Sequence, residues 1–158
     1  CADGYAFNFA PADAEAIIKE QWQSLQAIWP DKKLVIEGSA HIRCDENWFG
    51  EAFLNLLKNA CEHTSDVGVI RVQLERTEAA FFCIIEDNGG GVAPDELPKL
   101  FQRFYRAQHQ CKNGAGIGLA IVKEIIQRHH GNIVAENGKH GLKMTISMPM
   151  LDRNLTNS

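Results

Sequence analysis

A glycine-rich middle with a predicted β-hairpin on each side restricts this chain to few architectures. Residues 69–74 have the pattern of a strand with one solvated face, and residues 79–86 have that of a more deeply buried strand. Residues 133–136 and 144–148 predict a second pair of strands beyond the glycine-rich stretch 89–118. Strands joined by a short turn pair antiparallel. The pattern therefore favours an α+β fold, a two-layer sandwich with helices on one face of a mixed sheet, over a doubly wound parallel fold.

Apolar residues at helical spacing predict three helices. The first covers residues 13–28, and the second covers residues 46–63 behind Asp45, whose carboxylate is suited to cap free backbone N–H groups. The third begins in the second glycine-rich segment and runs to about His130, with Gly131 as its C-terminal stop. Shorter elements are predicted as strands at residues 5–9, 34–36 and 41–44 and as a helical segment from Pro94.

Size, charge and hydropathy exclude several classes of protein. The 158 residues suffice for one domain with a substantial core, and we assign residues 1–151 to that domain and 152–158 to a polar tail. A net charge of −4 without a block of like charges argues against nucleic-acid binding. The longest apolar run, residues 79–85, is far shorter than the ~20 residues of a membrane span. The N-terminus lacks the pattern of a secretory signal.

The five cysteines stand at irregular spacing and include no CxxC pair, which argues against a zinc site or a thioredoxin-like motif. Cys61 and Cys83 fall within apolar patterns and are predicted to be small core residues. Reduced thiols are the simplest interpretation of this usage.

The second predicted helix carries polar residues at intervals of four. Glu51, Asn55, Asn59 and His63 therefore line one face, opposite the apolar stripe. Asparagine is mildly unfavourable within a helix, because its side chain competes for backbone hydrogen bonds. A solvated face is the ordinary explanation of one such residue. Two asparagines bordered by leucines are also typical of amide oxygens that face a polar ligand or a hard cation such as Mg²⁺.

Asp87 follows a strongly apolar strand and precedes three consecutive glycines, Gly89 to Gly91. A buried carboxylate needs a partner, because an unpaired one is heavily penalised. Glycines on its C-terminal side permit positive φ and a close approach of a ligand to the backbone. An Asx-type turn that closes the strand explains the same residues equally well.

A second glycine motif, Gly114-x-Gly116-x-Gly118, opens the third predicted helix. Backbone N–H groups and the positive end of the dipole at a helix N-terminus favour phosphate. The spacing matches neither the dinucleotide fingerprint nor a P-loop, and a loop without a ligand is the more common explanation of a glycine run by itself.

Taken together and in this order, the motifs resemble those of the catalytic ATP-binding domain of bacterial two-component sensor histidine kinases. The segment Asn55-Leu56-Leu57-Lys58-Asn59-Ala60 is similar to the N box, and residues 87–91 match the first glycine box, D-x-G-x-G. Residues 101–106 resemble the F box, and residues 114–119 resemble the second glycine box. The resemblance covers about residues 5–149 and implies the Bergerat-type (GHKL) ATPase fold, with a nucleotide site between the helices and a lid.

The resemblance also implies a role for individual residues. Asp87 is expected to accept a hydrogen bond from the adenine amino group, and Asn59, helped by Asn55, to hold a Mg²⁺ ion that bridges the phosphates. Arg106 is expected to neutralise charge near the γ-phosphate, which suits its planar and permanently charged head. Asn55, Asn59 and Arg106 are thus the implied catalytic residues. The full implied nucleotide site comprises Asn55, Lys58, Asn59, His63, Asp87, Gly89, Gly91, Val92, Phe104, Tyr105, Arg106, Gly114, Gly116, Ile117, Gly118 and Leu119.

The implied reaction is transfer of the γ-phosphate of ATP to a histidine on a separate helical dimerisation and phosphoacceptor domain, with a response regulator downstream. Such transfer depends mainly on positioning and electrostatics, so the ATP-binding domain needs no nucleophile of its own. None of the six histidines lies in the sequence context of the usual acceptor. We therefore expect a soluble, mostly monomeric fragment, the cytoplasmic domain of a membrane-bound sensor.

Several positions depart from the family pattern. Glu62 and His63 stand where the family commonly has Lys and then Tyr, which removes a cation near the phosphates. The segment between Arg106 and Gly114 is a short lid that contains Cys111. A Thr often follows the glycine of the final hairpin, where Leu142 and Lys143 stand here.

Three other functions are open. Hydrolysing ATPases of the same superfamily place a general-base Glu in the N-box helix, where Asn55 stands here. A serine kinase that acts on anti-sigma antagonists shares the nucleotide site, and a regulatory module that only binds nucleotide does not require phosphotransfer. Mg²⁺-dependent transfer to a supplied acceptor domain separates these functions from a histidine kinase.

Overall fold

The computed structural model of the protein describes residues 6–65, 67–102 and 118–150. Predictions for Tyr5, for Phe104, Tyr105 and Arg106, for Cys111, for Gly114, Gly116 and Ile117 and for the tail 152–158 lie outside the described residues. The elements, in chain order, are β1 Phe9–Asp13, α1 Ala14–Gln26, β2 Lys33–Glu37, β3 His41–Asp45, α2 Glu46–His63, β4 Val69–Arg76, β5 Ala80–Glu86, a 3₁₀ helix Pro94–Lys99, α3 Gly118–Arg128, β6 Asn132–Asn137 and β7 Leu142–Pro149.

Five strands form one mixed sheet in the order β2-β4-β5-β7-β6. The β2–β4 pair is parallel, and the three other pairs are antiparallel. β1 and β3 form a separate two-stranded antiparallel ribbon, which the sequence did not predict. The predicted α+β class and the mixed sheet are confirmed.

One face of the sheet supplies part of the core. In β4 and β5 the residues Ile70, Val72, Phe81 and Cys83 are fully buried, whereas the intervening positions are more exposed. This period of two is what a sheet with helices on one face requires. The helices contribute buried residues such as Phe53, and each large side chain of this kind contributes about 1.5–3 kcal/mol on burial.

The predicted core cysteines are confirmed. Cys61 is 1% exposed and Cys83 is fully buried, and both are free thiols. Burial raises the pKa of the Cys61 thiol to about 11, so this thiol is protonated and unreactive at neutral pH.

Capping side chains fix where α1 and α2 begin. The Asp13 carboxylate accepts from the backbone N–H groups of Glu15 and Ala16, and the predicted cap Asp45 accepts from Trp48 N at 3.0 Å. Asp45 also accepts from Asn8 N at 2.6 Å, which ties the segment before β1 to the start of α2. The cap therefore connects the N-terminal segment to the helix that carries the polar stripe.

The prediction for the end of α3 was wrong in one detail. His130, and not Gly131, adopts the left-handed conformation that stops the helix, with φ of 65°. The hydrogen bonds His130 N to Gln127 O and Gly131 N to Ile126 O, both 2.9 Å, are those of a Schellman motif. Gly131 is needed for another reason, because a Cβ there would lie 2.5 Å from Met148 Cγ.

The first predicted strand was displaced along the chain. Residues 5–9 alternate in sequence, yet β1 spans Phe9–Asp13 and includes Pro11, because the pairing with β3 sets the register. A proline has no N–H to donate, and a two-stranded ribbon leaves one side of each strand without a pairing requirement. α1 also ends earlier than predicted, at Gln26 instead of about residue 28.

His129 connects the β1–β3 ribbon to α2 and α3. Its Nε2 accepts from Asp45 N at 3.0 Å, so Nδ1 carries the proton and donates to Ile125 O at 2.8 Å. Its ring contacts the rings of Phe9 and Phe49 at centroid distances of 5.2 and 5.8 Å. Burial lowers the pKa of His129 below its ordinary value of 6.5, so the neutral ring is part of the folded structure.

Candidate functional site

The polar stripe on α2 faces the start of α3. Asn55 Nδ2 donates to Glu51 O at 2.9 Å and lies 3.3 Å from Glu51 Oε2. Its amide oxygen is then directed at Gly118, where an added Cβ would lie 2.8 Å from Asn55 Oδ1. The glycine is therefore required for α3 to begin so close to α2. The structure thus brings together two predicted site residues that are 63 positions apart in the sequence.

Asn59 lies one turn beyond Asn55 on the same face and is half-buried. Within residues 6–65, 67–102 and 118–150, its side chain has no hydrogen-bond partner. Lys58, also in the N-box segment, is exposed to solvent. Leu119 in the first turn of α3 is 8% exposed and belongs to the core. Asn59 therefore has a half-buried polar group that is available to a ligand.

Asp87 ends β5 with its carboxylate buried, at 3% exposure. Its Oδ1 accepts from Gly89 N at 2.9 Å and from Leu142 N at 3.2 Å. The first contact is the Asx-type turn that the sequence allows, and the second comes from the first residue of β7. Two backbone donors thus occupy one oxygen, and Oδ2 remains for another partner.

His63, the last residue of α2, lies beside that second oxygen. Its Nδ1 is 3.3 Å from Asp87 Oδ2, and the two side chains are 2% and 3% exposed. The distance is that of an ion pair, but the two atoms are not aligned as a formed hydrogen bond, and Nδ1 has no other hydrogen-bond partner among the described residues. A buried polar atom without a partner costs about 1–3 kcal/mol, so it is typical of a site that a ligand completes.

The glycines after Asp87 are required by the packing around it. A Cβ on Gly89 would overlap the carbonyl oxygen of His63, so the loop passes directly over the end of α2. Gly90 and Gly91 have φ of 90° and 82°, in the left-handed region that favours glycine. The three glycines after Asp87 therefore place no side chains where their backbone borders the polar stripe of α2.

Two residues that sequence reasoning did not identify hold this loop in place. The Asn137 side chain accepts from Val92 N at 2.9 Å and donates to Val92 O at 2.8 Å. Gly141 packs against Asp87, and a Cβ there would overlap the carboxylate and lie 2.8 Å from Gly89 N. An Asn at the end of a strand and a Gly in the following turn are weak signals, because hairpins carry them for local reasons.

The end of α2 is fixed by a buried lysine. Lys32 is 3% exposed, and its Nζ donates to Thr64 O at 3.2 Å, to Thr64 Oγ1 at 2.8 Å and to Ser65 O. These carbonyls follow the last turn of α2, so a cation here also complements the negative end of the helix dipole. Lys32 therefore fixes the segment that presents His63.

Among the described residues, no helix is both long enough and apolar enough to cross a membrane. The same residues include no cluster of three or more His, Cys, Asp or Glu side chains suited to hold a metal ion.

Comparison with known proteins defines the class. Residues 44–152 match the model of the histidine kinase-, DNA gyrase B- and HSP90-like ATPase family, and the chain belongs to this family. It is 37% identical over 101 residues to the sensor histidine kinase CusS of Escherichia coli K12, a match that covers 62% of this chain and 21% of CusS. It is 32% identical over 158 residues to the signal transduction histidine-protein kinase BaeS of the same organism, over 95% of this chain and 34% of BaeS.

Among solved structures, the mycobacterial sensor histidine kinase MprB superposes with a TM-score of 0.82 at 25% identity, over 90% of this chain and 99% of that one. The resemblance and the fold that it implied are thereby confirmed, and the chain is a catalytic ATP-binding domain of the sensor histidine kinase class. It spans only about a fifth to a third of the length of its curated relatives, from 21% of CusS to 34% of BaeS.

Proposed function

We propose that residues 1–151 bind Mg-ATP and transfer its γ-phosphate to a histidine on a separate helical dimerisation domain, as part of a two-component signalling protein. The observation that carries this proposal is the state of Asp87. One oxygen of this buried carboxylate is held by two backbone N–H groups, and the other is left beside an incompletely bonded His63. A carboxylate in this state accepts a hydrogen bond from an amino group, and adenine has one where guanine has a carbonyl.

The phosphates would lie towards the start of α3. Gly118 brings the N-terminal end of this helix against Asn55, and the positive end of the helix dipole favours an anion there. Gly114, Gly116 and Ile117 complete the proposed phosphate loop. Phe104, Tyr105 and Arg106 complete the proposed lid side of the site.

The residues present fit a magnesium ion. Asn55 and Asn59 offer amide oxygens on one face of α2, and Mg²⁺ prefers a few hard oxygen ligands together with phosphate and water. When bound, the ion would neutralise charge on the phosphates. Asn55 Oδ1 already faces the start of α3, because its Nδ2 is bonded to Glu51.

The acceptor histidine would belong to another domain of the whole protein, and the response regulator is proposed as a separate partner of that domain. CusS and BaeS are sensor kinases several times longer than this chain, which supports a separate phosphoacceptor domain and a membrane-bound sensor with this domain in the cytoplasm. Because dimerisation would reside in that separate domain, the chain by itself is proposed to be mostly monomeric, which light scattering can measure.

Calorimetric titration with ATP and GTP, with and without Mg²⁺, tests the nucleotide site. We expect ATP to bind, GTP to bind at least tenfold more weakly, and Asp87→Asn to weaken ATP binding by about 10- to 150-fold, since a hydrogen bond to a charged group contributes about 1.5–3 kcal/mol. Asp31→Asn, an exposed carboxylate in the turn after α1, is the matched control. Equal binding of ATP by wild type and Asp87→Asn would contradict the assignment.

Phosphotransfer is tested separately. The chain is mixed with an isolated histidine-bearing domain of a sensor kinase and with ATP labelled at the γ-phosphate. We expect Mg²⁺-dependent label on that domain, in an acid-labile and alkali-stable form. Nucleotide binding without transfer to several acceptor domains would instead favour a regulatory nucleotide-binding module.

A further inference from the structure

His63 is the described residue in ion-pair range of Asp87 Oδ2, the oxygen that no backbone donor occupies. Removing a carboxylate from water is costly unless its oxygens are bonded, and here one oxygen has two donors while the other has an imidazole nitrogen at 3.3 Å. The position is where the family commonly has Tyr, whose hydroxyl lies farther from the backbone than Nδ1 does. In this chain the nearer Nδ1 lies 3.3 Å from Asp87 Oδ2.

The imidazole cannot move away from this oxygen without unpacking the end of α2. Its side chain is 2% exposed, the carbonyl of the same residue packs against Gly89, and Lys32 holds the backbone of Thr64 one residue further on. A nitrogen placed in this way on a rigid helix end is suited to orient a neighbouring group.

We propose that His63 is a positioning residue for base recognition, whose Nδ1–H aligns with Asp87 Oδ2 and donates to it when a base binds, starting from the 3.3 Å contact that is not yet a formed hydrogen bond in this structure. This rests on the proposed function of Asp87. That bond fixes the orientation of the carboxylate, and Oδ2 has a second lone pair that can still accept a hydrogen bond from the base. An acceptor at Oδ2 pairs with the amino group of adenine and repels a base with a carbonyl oxygen at that place. His63 acts on the base through Asp87.

Substitutions of His63 that keep either the N–H donor or the aromatic ring, but not both, test the proposal. His63→Asn keeps an N–H at nearly the position of Nδ1, His63→Gln moves it outwards, and His63→Phe keeps the ring without a donor. We expect His63→Phe to bind ATP about tenfold or more weakly, and His63→Asn to remain within about threefold of wild type. His63→Gln should lie nearer to Phe than to Asn.

A second ligand distinguishes base recognition from packing. Inosine triphosphate has a carbonyl where ATP has the amino group, so the ratio of its Kd to that of ATP measures discrimination at this position. We expect that ratio to be large in the wild type and in His63→Asn, and to fall at least severalfold in His63→Phe. A merely structural role would weaken both nucleotides equally and leave the ratio unchanged.

The outcomes separate this inference from the proposed function. If wild type binds ATP and His63→Phe binds it equally well with the same discrimination, His63 has no positioning role. If His63→Asn is as weak as His63→Phe while both melt as cooperative folds, the ring and not the donor matters, and the proposal is wrong. If His63→Phe does not fold, an equal Kd in the Asn and Gln variants overturns it. A wild-type chain that is folded and binds no ATP overturns the proposed function and this inference with it.

Discussion

The left-handed residue at the end of α3 gives a sharp prediction about stability. His130 has φ of 65° and is exposed, and the bonds His130 N to Gln127 O and Gly131 N to Ile126 O hold it in that conformation. A left-handed residue with a Cβ costs about 1–2 kcal/mol, and glycine avoids that cost. Against this, glycine adds about 0.4–1 kcal/mol of conformational freedom to the unfolded chain. His130→Gly should therefore raise the free energy of unfolding by about 0.5–1 kcal/mol.

The measurement is urea unfolding followed by circular dichroism at pH 7.5, with thermal unfolding alongside. A gain of this size corresponds to a rise in Tm of about 1–4 °C for a domain of this length. His130→Ala is the matched control, because it removes the imidazole and keeps the Cβ. Ala should give no gain, which shows that relief of backbone strain and not loss of the ring is responsible.

A second control is Gly131→Ala. A Cβ at that position would lie 2.5 Å from Met148 Cγ and 2.6 Å from Ser147 O, so we expect destabilisation by about 1–3 kcal/mol. A neutral or destabilising effect of His130→Gly, with Gly131→Ala behaving as expected, would show that backbone strain at residue 130 does not lower the stability. An equal gain from His130→Ala would show that loss of the imidazole, and not relief of backbone strain, stabilises the protein.

Three further predictions concern the site and its support. Gly141→Ala should abolish measurable ATP binding in calorimetry, because its Cβ would overlap the Asp87 carboxylate, whereas Gly90→Ala, with nothing within 4 Å of the added Cβ, should bind ATP at most a few-fold more weakly. Lys32→Met should lower the free energy of urea unfolding by about 1–3 kcal/mol, because it removes the buried ammonium group that donates to the part-buried carbonyls of Thr64 and Ser65, and an unchanged midpoint would contradict this. Burial lowers the pKa of His129, so the folded state binds fewer protons than the unfolded chain, and wild-type stability should fall below pH 6.5. The stability difference between wild type and His129→Gln should therefore shrink between pH 7.5 and pH 5.5, and a constant difference would show that His129 does not titrate between the two states.

The sequence predicts an element well where local signals agree. The second helix was expected over residues 46–63 and occupies Glu46–His63, because the Asp45 cap and the apolar spacing identify the same boundary. The first strand was misplaced because its position depends on pairing with residues about 35 positions away, such as Phe9 with Asp45. The end of α3 was assigned to Gly131 because glycine favours the left-handed conformation, yet His130 adopts that conformation. Gly131 is required instead because the neighbouring strand packs too closely for a Cβ.

The candidate site, too, was predicted only in part from the sequence. The motifs and their order identify the segments that meet, and the structure brings Asn55 to Gly118 and His63 to Asp87. The sequence could not supply the supporting contacts, because they depend on sheet register. Glu86 pairs with Lys143 across β5 and β7, and this register places Gly141 against the Asp87 carboxylate.

The backbone also accounts for one departure from the family pattern. A Thr often follows the last-hairpin glycine in the family, and Leu142 stands there in this chain. The group that contacts Asp87 Oδ1 is the N–H of Leu142, which every residue except proline provides. The absence of a Thr hydroxyl therefore does not affect the hydrogen bond from Leu142 N to Asp87 Oδ1. The departure from the family pattern changes only the contacts that the side chain of residue 142 makes. Because Leu142 is itself buried in the core, an apolar side chain here stabilises the strand that supplies that N–H.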